Sequence, residues 1–351
     1  MKRAAAPKFS KRLLGWFDRG ARDLPWRQRG GGRDPYAVWL AEIMLQQTTV
    51  AAVGPYYEQF LKRWPDVETL AASPGEEVLK AWAGLGYYSR ARSMIKCARL
   101  VSGEMAGRFP EDEEGLRQLP GIGPYTAAAI AAIAFGQQTA VVDGNVERIA
   151  SRLFRLGGDP RKTKQLIRDR VRALVPAKRA GDFAEAMMDL GATVCRPRAP
   201  ICDICPVSSF CGAFLEGDVE AFPKRRRPAP KPHRRGRAYF LHSGDEALLV
   251  RRPDKGLLGG MLCLPSGSWL EHEVELGNGA PVDGDWVDLE ERVSHSFTHF
   301  HLSLSVATLA LPLEAERPEG EWVRMEEILK AGLPKVMEKA VSLALASLES
   351  V

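Results

Sequence analysis

The chain has 351 residues, 45% of them hydrophobic and 26% charged, with a net charge of +5; that is too long for one ordinary core and suits two or three domains. No run of about 18 apolar residues is present to span a bilayer, and the basic opening MKRAAAPKFSKRLL has no apolar core, so neither a membrane span nor a secretion signal is expected and a cytoplasmic location follows. The positive charge is local: Lys224 to Arg237 holds eight Lys or Arg and no acid, which leaves −3 for the rest, so overall charge gives no argument for a nucleic-acid partner.

From about Phe9 to Phe214 the pattern is helical, with Gly and Pro at the breaks. Trp26 and Arg27 stand in an LPWR string ahead of a Gly-rich loop, RQRGGGRDPY. Asp34 can cap and Pro35 suits a first helical position, from which YAVWLAEIMLQQTTV is expected to continue as one long apolar helix. Its Glu42 lies mid-helix among apolar neighbours, where desolvation favours the protonated acid. Further helices are expected at GEEVLKAWAG, SRARSMIKCARLVSG, TAAAIAAIAFG, NVERIASRLF, TKQLIRDRVRALV and FAEAMMDLGATVC.

Within this helical half, LPGIGPYTA places Gly121 and Gly123 in a turn between two helices. Glycine there lets the backbone approach another surface and leaves N–H groups free to hold a phosphate, although an ordinary interhelical turn has the same composition. Asp143 and Asn145 follow in VVDGNVERIA, twenty residues beyond Gly123 in the case of Asp143. Either can cap the helix that begins there, and a cap supplied by Asn145 would free Asp143 for chemistry.

Cys195, Cys202, Cys205 and Cys211 are separated by six, two and five residues, while Cys97 and Cys263 stand alone. In a cytosolic chain such clustering points to metal rather than disulfides; a structural zinc and an iron–sulfur cluster both fit the ligand count. The basic stretch over 223–237 reads as a solvated Pro-rich linker with phosphate contact as a secondary role. Beyond it the texture changes to short alternating runs, RAYFLHS, EALLVRRP and FHLSLSVATLAL, the last with Phe300, Leu302, Leu304 and Val306 on one face, closed by a helix at PKVMEKAVSLALASL. Residues 1–222 are thus expected to form an all-α domain and 238–351 an α+β domain.

The helix hairpin, the Asp beyond it and the four-cysteine loop resemble the endonuclease III superfamily of DNA glycosylases. WLAEIMLQQTTV, GLGYYSRAR, LPGIGPYTA, DGNVERI and AMMDLGATVC are similar to its adenine glycosylase branch, the MutY family. The resemblance implies a helix-hairpin-helix glycosylase domain with a [4Fe-4S] cluster on Cys195, Cys202, Cys205 and Cys211, followed by a Nudix-like domain. It implies that Glu42 protonates adenine and that Asp143, with Asn145 and Tyr125 beside it, stabilises the sugar cation or attacks C1′. In lyase members the position of Tyr125 carries a Lys that forms a Schiff base, so Tyr125 implies glycosylase activity alone. Tyr87 resembles the wedge beside the opposite base, Gln47 and Thr48 the contacts to DNA around it, Gly121 and Gly123 the hairpin, and Trp26 and Arg27 the lining of the adenine pocket, with a lengthened loop after them.

In the C-terminal domain no Arg-Glu-x-x-Glu-Glu run follows LLGGMLCLPSGSW, so Nudix hydrolysis is not expected. HSFTHFHL resembles the family's Phe-Ser-His reader of 8-oxoguanine, with Phe297 and His299 flanking Thr298 in place of the usual Ser. The hydroxyl is kept, so it can still hydrogen-bond the lesion. The implied partner is double-stranded DNA with adenine opposite 8-oxoguanine or guanine, bound by a monomer without membrane attachment.

Overall fold

The computed structural model describes residues 6–27, 33–158, 160–224, 230–253 and 256–349, with the backbone alone at 160–162. The Gly-rich string just after Arg27 and the middle of the basic stretch fall outside the described residues. Two compact units divide the chain, Met1–Arg227 and Pro228–Val351.

In the first unit the helices are α1 (Ala6–Gly20), α2 (Pro35–Leu45), α3 (Val50–Arg63), α4 (Val67–Ala72), α5 (Gly75–Ala81), α6 (Tyr88–Glu104), α7 (Glu113–Leu116), α8 (Pro124–Ile133), α9 (Gly144–Phe154), α10 (Pro160–Arg172), α11 (Ala180–Thr193) and α12 (Gly212–Leu215). They surround two apolar cores. One gathers Trp39, Leu40, Phe60, Trp82, Met94 and Ile130; the other gathers Phe9, Ile149, Val171, Phe183 and Leu190. Helix α11 serves both, with Ala184 in the first and Phe183 and Ala186 in the second. It draws close to α9 because Gly191 has no side chain: a Cβ there would collide with Asn145.

Helix α2 starts as its sequence dictates. Asp34 accepts from the N–H groups of Tyr36 and Ala37 at 3.0 and 3.3 Å, and Pro35 occupies the first helical position. The long helix expected through Val50 does not form. Helix α2 ends at Leu45, Gln47 turns into the left-handed region at φ 57°, and Thr49 caps α3 through the Ala52 N–H. The break has a distant cause. The Arg90 guanidinium, on α6, donates to the carbonyls of Ile43, Met44 and Gln46, which satisfies the end of α2 from outside.

The second unit is a mixed sheet with a helix on it. Strands β1 (His233–Ser243), β2 (Glu246–Arg251), β3 (Leu262–Cys263), β4 (Val287–Ser296) and β5 (His301–Ala310) lie in the order β3-β2-β1-β5-β4, and β6 (Glu321–Arg324) pairs with β2. β1 runs parallel to β5 from His233↔His301 to His242↔Ala310, and the other pairings are antiparallel. The terminal helix α13 (Lys335–Glu349) packs on β4 and β5. Phe300, Leu302, Leu304 and Val306 are all buried, as their alternation requires, while Tyr239, Leu241, Trp286 and Ala307 form another cluster. Because β1 begins at His233, the last five residues of the stretch read as a linker are strand.

Candidate active site

A cleft of about 800 Å³ opens between α2, the α8 hairpin, α9 and α11. Trp26, Arg27, Gln47, Thr48, Gly121 and Gly123 line it, as do Glu42, Tyr125, Asp143 and Asn145. Sequence positions more than a hundred residues apart are thus gathered around one space.

Glu42 is 6% exposed, and its Oε2 has no hydrogen-bond partner among the described residues. Burial pushes its carboxyl up to about 7; a hydrogen bond from Tyr125 opposes this, and the charges of Glu185 and Asp143 add to it. The group is therefore an acid poised near neutrality. Half-buried Tyr125, in the first turn of α8, also meets the Met188 Sδ at 3.5 Å, and burial holds its phenol neutral.

Asp143 itself caps α9. Its Oδ1 accepts from the Val146 N–H at 2.7 Å, and the Asn145 side chain donates to its Oδ2 at 2.8 Å. The alternative in which Asn145 takes the cap is therefore corrected: Asn145 orients the carboxylate, since its Nδ2 is directed to Asp143 and its Oδ1 accepts from Arg148 at 2.8 Å. Arg148 reaches on to the Gly191 carbonyl, which fixes Asn145 against α11.

The hairpin glycines differ in purpose. Gly121 has φ 79° and sits against α6, where an added Cβ would lie 2.7 Å from the Ser93 Cβ. Gly123 opens α8 without a side-chain cap, and a Cβ there would meet open space. The first glycine is a backbone necessity and the second leaves the helix N-terminus accessible.

Arg27 is bound to carboxylates rather than presented freely to the cleft. Its fork holds Asp189 with two 2.7 Å bonds, Glu185 lies 3.5 Å away, and its side chain is 7% exposed. Arg22 joins Asp189 at 2.6 Å and Arg33 joins Glu185 at 2.9 Å. Burial pushes Glu185 up, with the two arginines opposing; for Asp189 burial raises and the arginine bonds outweigh it, so it lies below its usual range. Trp26 meets Tyr57 edge-on at 5.7 Å. Glu185, Asp189 and Gly191 went unread in the sequence as single residues, although charges embedded in the apolar helix string FAEAMMDLGATVC are a signal for a buried network.

Gln47 is exposed, Thr48 half-buried, and Tyr87 46% exposed with φ 48°. Lys164, the amine that lines the cleft among the described residues, is 66% exposed and 4.0 Å from Glu147.

Cys195, Cys202, Cys205 and Cys211 are unpaired and half-buried in the loop after α11. Burial raises the thiols of Cys202, Cys205 and Cys211, and the neighbouring cysteines add to it; backbone N–H groups of Val207, Ala213 and Phe214 point at two of the sulfurs. Arg152, 2% exposed, donates to the Cys195 Sγ at 3.2 Å. The donor set, four thiols in one loop with backbone N–H groups aimed at two of them, suits a thiophilic centre. Among the described residues no three such ligands close on a single ion.

In the second unit Phe297–Phe300 form the four-residue connection of the β4–β5 hairpin. The Phe297 N–H donates to the Phe300 carbonyl at 2.9 Å, and the two rings stack at 4.8 Å. Lys231 holds the Phe297 carbonyl at 2.9 Å, and Trp269, seated where Gly236 leaves room, lies 5.7 Å from the Phe297 ring. Thr298 and His299 are exposed at the tip.

Residues 40–176 match the HhH-GPD superfamily of base excision DNA repair proteins, and residues 237–343 match the NUDIX domain. The adenine DNA glycosylase of Homo sapiens is 37% identical over a gapped alignment of 403 positions that covers 96% of this chain and 74% of that protein. The structure of a thermostable thymine-DNA glycosylase aligns with a TM-score of 0.55 at 31% identity, over 61% of this chain and 98% of that one. Endonuclease III in a non-covalent complex with DNA shares the fold at a TM-score of 0.50 and 21% identity, over 62% of this chain and 98% of that one. The fold and the cleft define a helix-hairpin-helix glycosylase of base excision DNA repair, followed by a Nudix-like domain. Within that class the chain belongs to the adenine DNA glycosylases.

Proposed function

We propose that this enzyme hydrolyses the N-glycosidic bond of undamaged adenine paired with 8-oxoguanine, and less readily with guanine, without strand cleavage. The observation that carries this is Glu42, a buried carboxyl near pH 7 in the same cleft as Asp143. A flipped adenine entering the cleft receives the Glu42 proton as its bond to C1′ breaks, and leaves neutral. The Asp143 carboxylate, held by Val146 and Asn145, faces the developing sugar cation or bonds to C1′. Water then adds at C1′ and its released proton restores Glu42. Tyr125 cannot form a Schiff base, and Lys164 stands exposed beside Glu147.

Tyr87 would fill the gap left by adenine, Gln47 and Thr48 would contact the strand around the opposite base, and the open N-terminus of α8 at Gly123 would take a phosphate. Phe297, Thr298 and His299 would read 8-oxoguanine. Cys195, Cys202, Cys205 and Cys211 would hold a [4Fe-4S] cluster, which ties the loop after α11 together. The enzyme would act as a monomer in the cytoplasm, on the nucleoid.

Single-turnover excision on duplexes that differ only in the base opposite adenine tests this. The expected order of rates is 8-oxoguanine, then guanine, then thymine, with strand breaks only after hot alkali and no borohydride-trapped adduct. Equal rates opposite thymine, or cleavage without alkali, would overturn it.

A further inference from the structure

Arg90 is 9% exposed, and among the described residues it meets no carboxylate. Its hydrogen bonds run to oxygen dipoles, in two separate groups. Nη1 donates to the carbonyls of Ile43 at 3.0 Å, Met44 at 2.8 Å and Gln46, the end of the helix that carries Glu42. Nη2 donates to the Thr48 Oγ1 at 3.0 Å and the Leu85 carbonyl at 3.3 Å, with the Gly86 carbonyl at 3.4 Å. The guanidinium also lies 5.3 Å from the ring centres of both Trp82 and Tyr87. Burial lowers its pKa to about 10, so the cation persists at neutral pH.

The two nitrogens of one rigid fork thus grip different parts of the protein. One holds the last turn of α2, the turn next after Glu42. The other holds Thr48 and the short loop that ends on Tyr87, and both of those segments pass through left-handed backbone, at Gln47 and Tyr87. Backbone held in that region by non-glycine residues persists only where its surroundings over-determine it, and such sites cluster at ligand clamps and switch regions.

We propose that Arg90 is a positioning residue that couples the two recognition elements to the catalytic helix: the placement of Tyr87 and Thr48 against the base opposite adenine sets, through the guanidinium fork, the placement of Glu42. This rests on the assignment of Tyr87, Gln47 and Thr48 to the opposite base made above. Coupling of this kind appears in the rate of excision from the bound complex, because the proposed DNA contacts of Tyr87 and Thr48 stay in place whether or not the fork is intact.

The test uses the full-length enzyme with Arg90→Lys, which keeps the charge but cannot span both groups, and Arg90→Met, which removes it. Single-turnover rates at saturating enzyme are measured on duplexes with 8-oxoguanine and with guanine opposite adenine, alongside the melting temperature and the dissociation constants. The expected result is that the ratio of the two rates falls at least tenfold in Arg90→Lys, whose melting temperature stays close to that of the wild type, and falls further in Arg90→Met. A merely structural role predicts that both rates fall together with the ratio preserved, and that result overturns the proposal, as does an unchanged ratio in a folded Arg90→Lys. Should Arg90→Met fail to fold, Arg90→Lys alone decides. A wild-type enzyme with no preference between the two duplexes removes the functional reading itself, and the coupling falls with it.

Discussion

A carboxyl whose pKa stands at about 7 rather than 4.5 gives Glu42 two distinct pH signatures. As the proposed proton donor it would be competent only below that value, so single-turnover excision should be level on the acid side and fall about tenfold per pH unit above roughly pH 7. Its effect on folding has the same sign. The folded pKa exceeds the unfolded one, so the stabilisation is complete below about pH 4.5, declines as pH climbs to about 7, and changes no further beyond; the whole change is at most about 3 kcal/mol. Glu42→Gln should abolish excision, bind DNA almost as before, and melt at temperatures that rise relative to the wild type across that window, as calorimetry at a series of pH values would show. Tyr125→Phe removes the one interaction that lowers Glu42. Its alkaline limb should move up by as much as about one unit with activity retained within about tenfold, and a limb that stays in place would disconnect the phenol from the acid.

At the scale of elements, the N-terminus of α9 separates structure from chemistry at a single position. Asn caps about as well as Asp, so Asp143→Asn should unfold in urea within about 0.5 kcal/mol of the wild type and yet lose excision; Asp143→Ala should lose excision and about 1 kcal/mol besides. Gly121→Ala meets both a left-handed φ and the Ser93 side chain, and should cost about 1–3 kcal/mol in the same assay. These elements were legible in the sequence because their causes are local: Asp34 with Pro35, Gly121, and the apolar repeat of α8. The break in α2 was not, because its cause, Arg90, lies more than forty residues away and acts through side-chain bonds to carbonyls. Strand β4 was hidden for another reason. It is an edge strand, exposed at most positions, and VDLEERVSHS has almost no alternation to read. The parallel pairing of β1 with β5 was equally out of reach, since register between distant strands leaves no local mark. At the site, the chemistry-bearing types Glu42 and Asp143 could be named in advance, whereas Asn145 as the orienter of Asp143 depended on where its amide points.

For the whole molecule, two units with separate cores should unfold in more than one step, which scanning calorimetry resolves as a composite transition. The two carry different halves of the proposed specificity. Thr298→Ala should reduce the preference for 8-oxoguanine over guanine several-fold while excision opposite guanine changes little, a comparison that single-turnover rates provide directly. The Lys231 ammonium is bonded to the Phe297 carbonyl, and His233 pairs with His301 at the far side of the same hairpin. Residues 231–233 are therefore tied to the tip that would touch the lesion, so a change of backbone there reaches the fingertip before the palm. One residue inserted between Lys231 and His233 should slacken the tip and lower the preference for 8-oxoguanine over guanine.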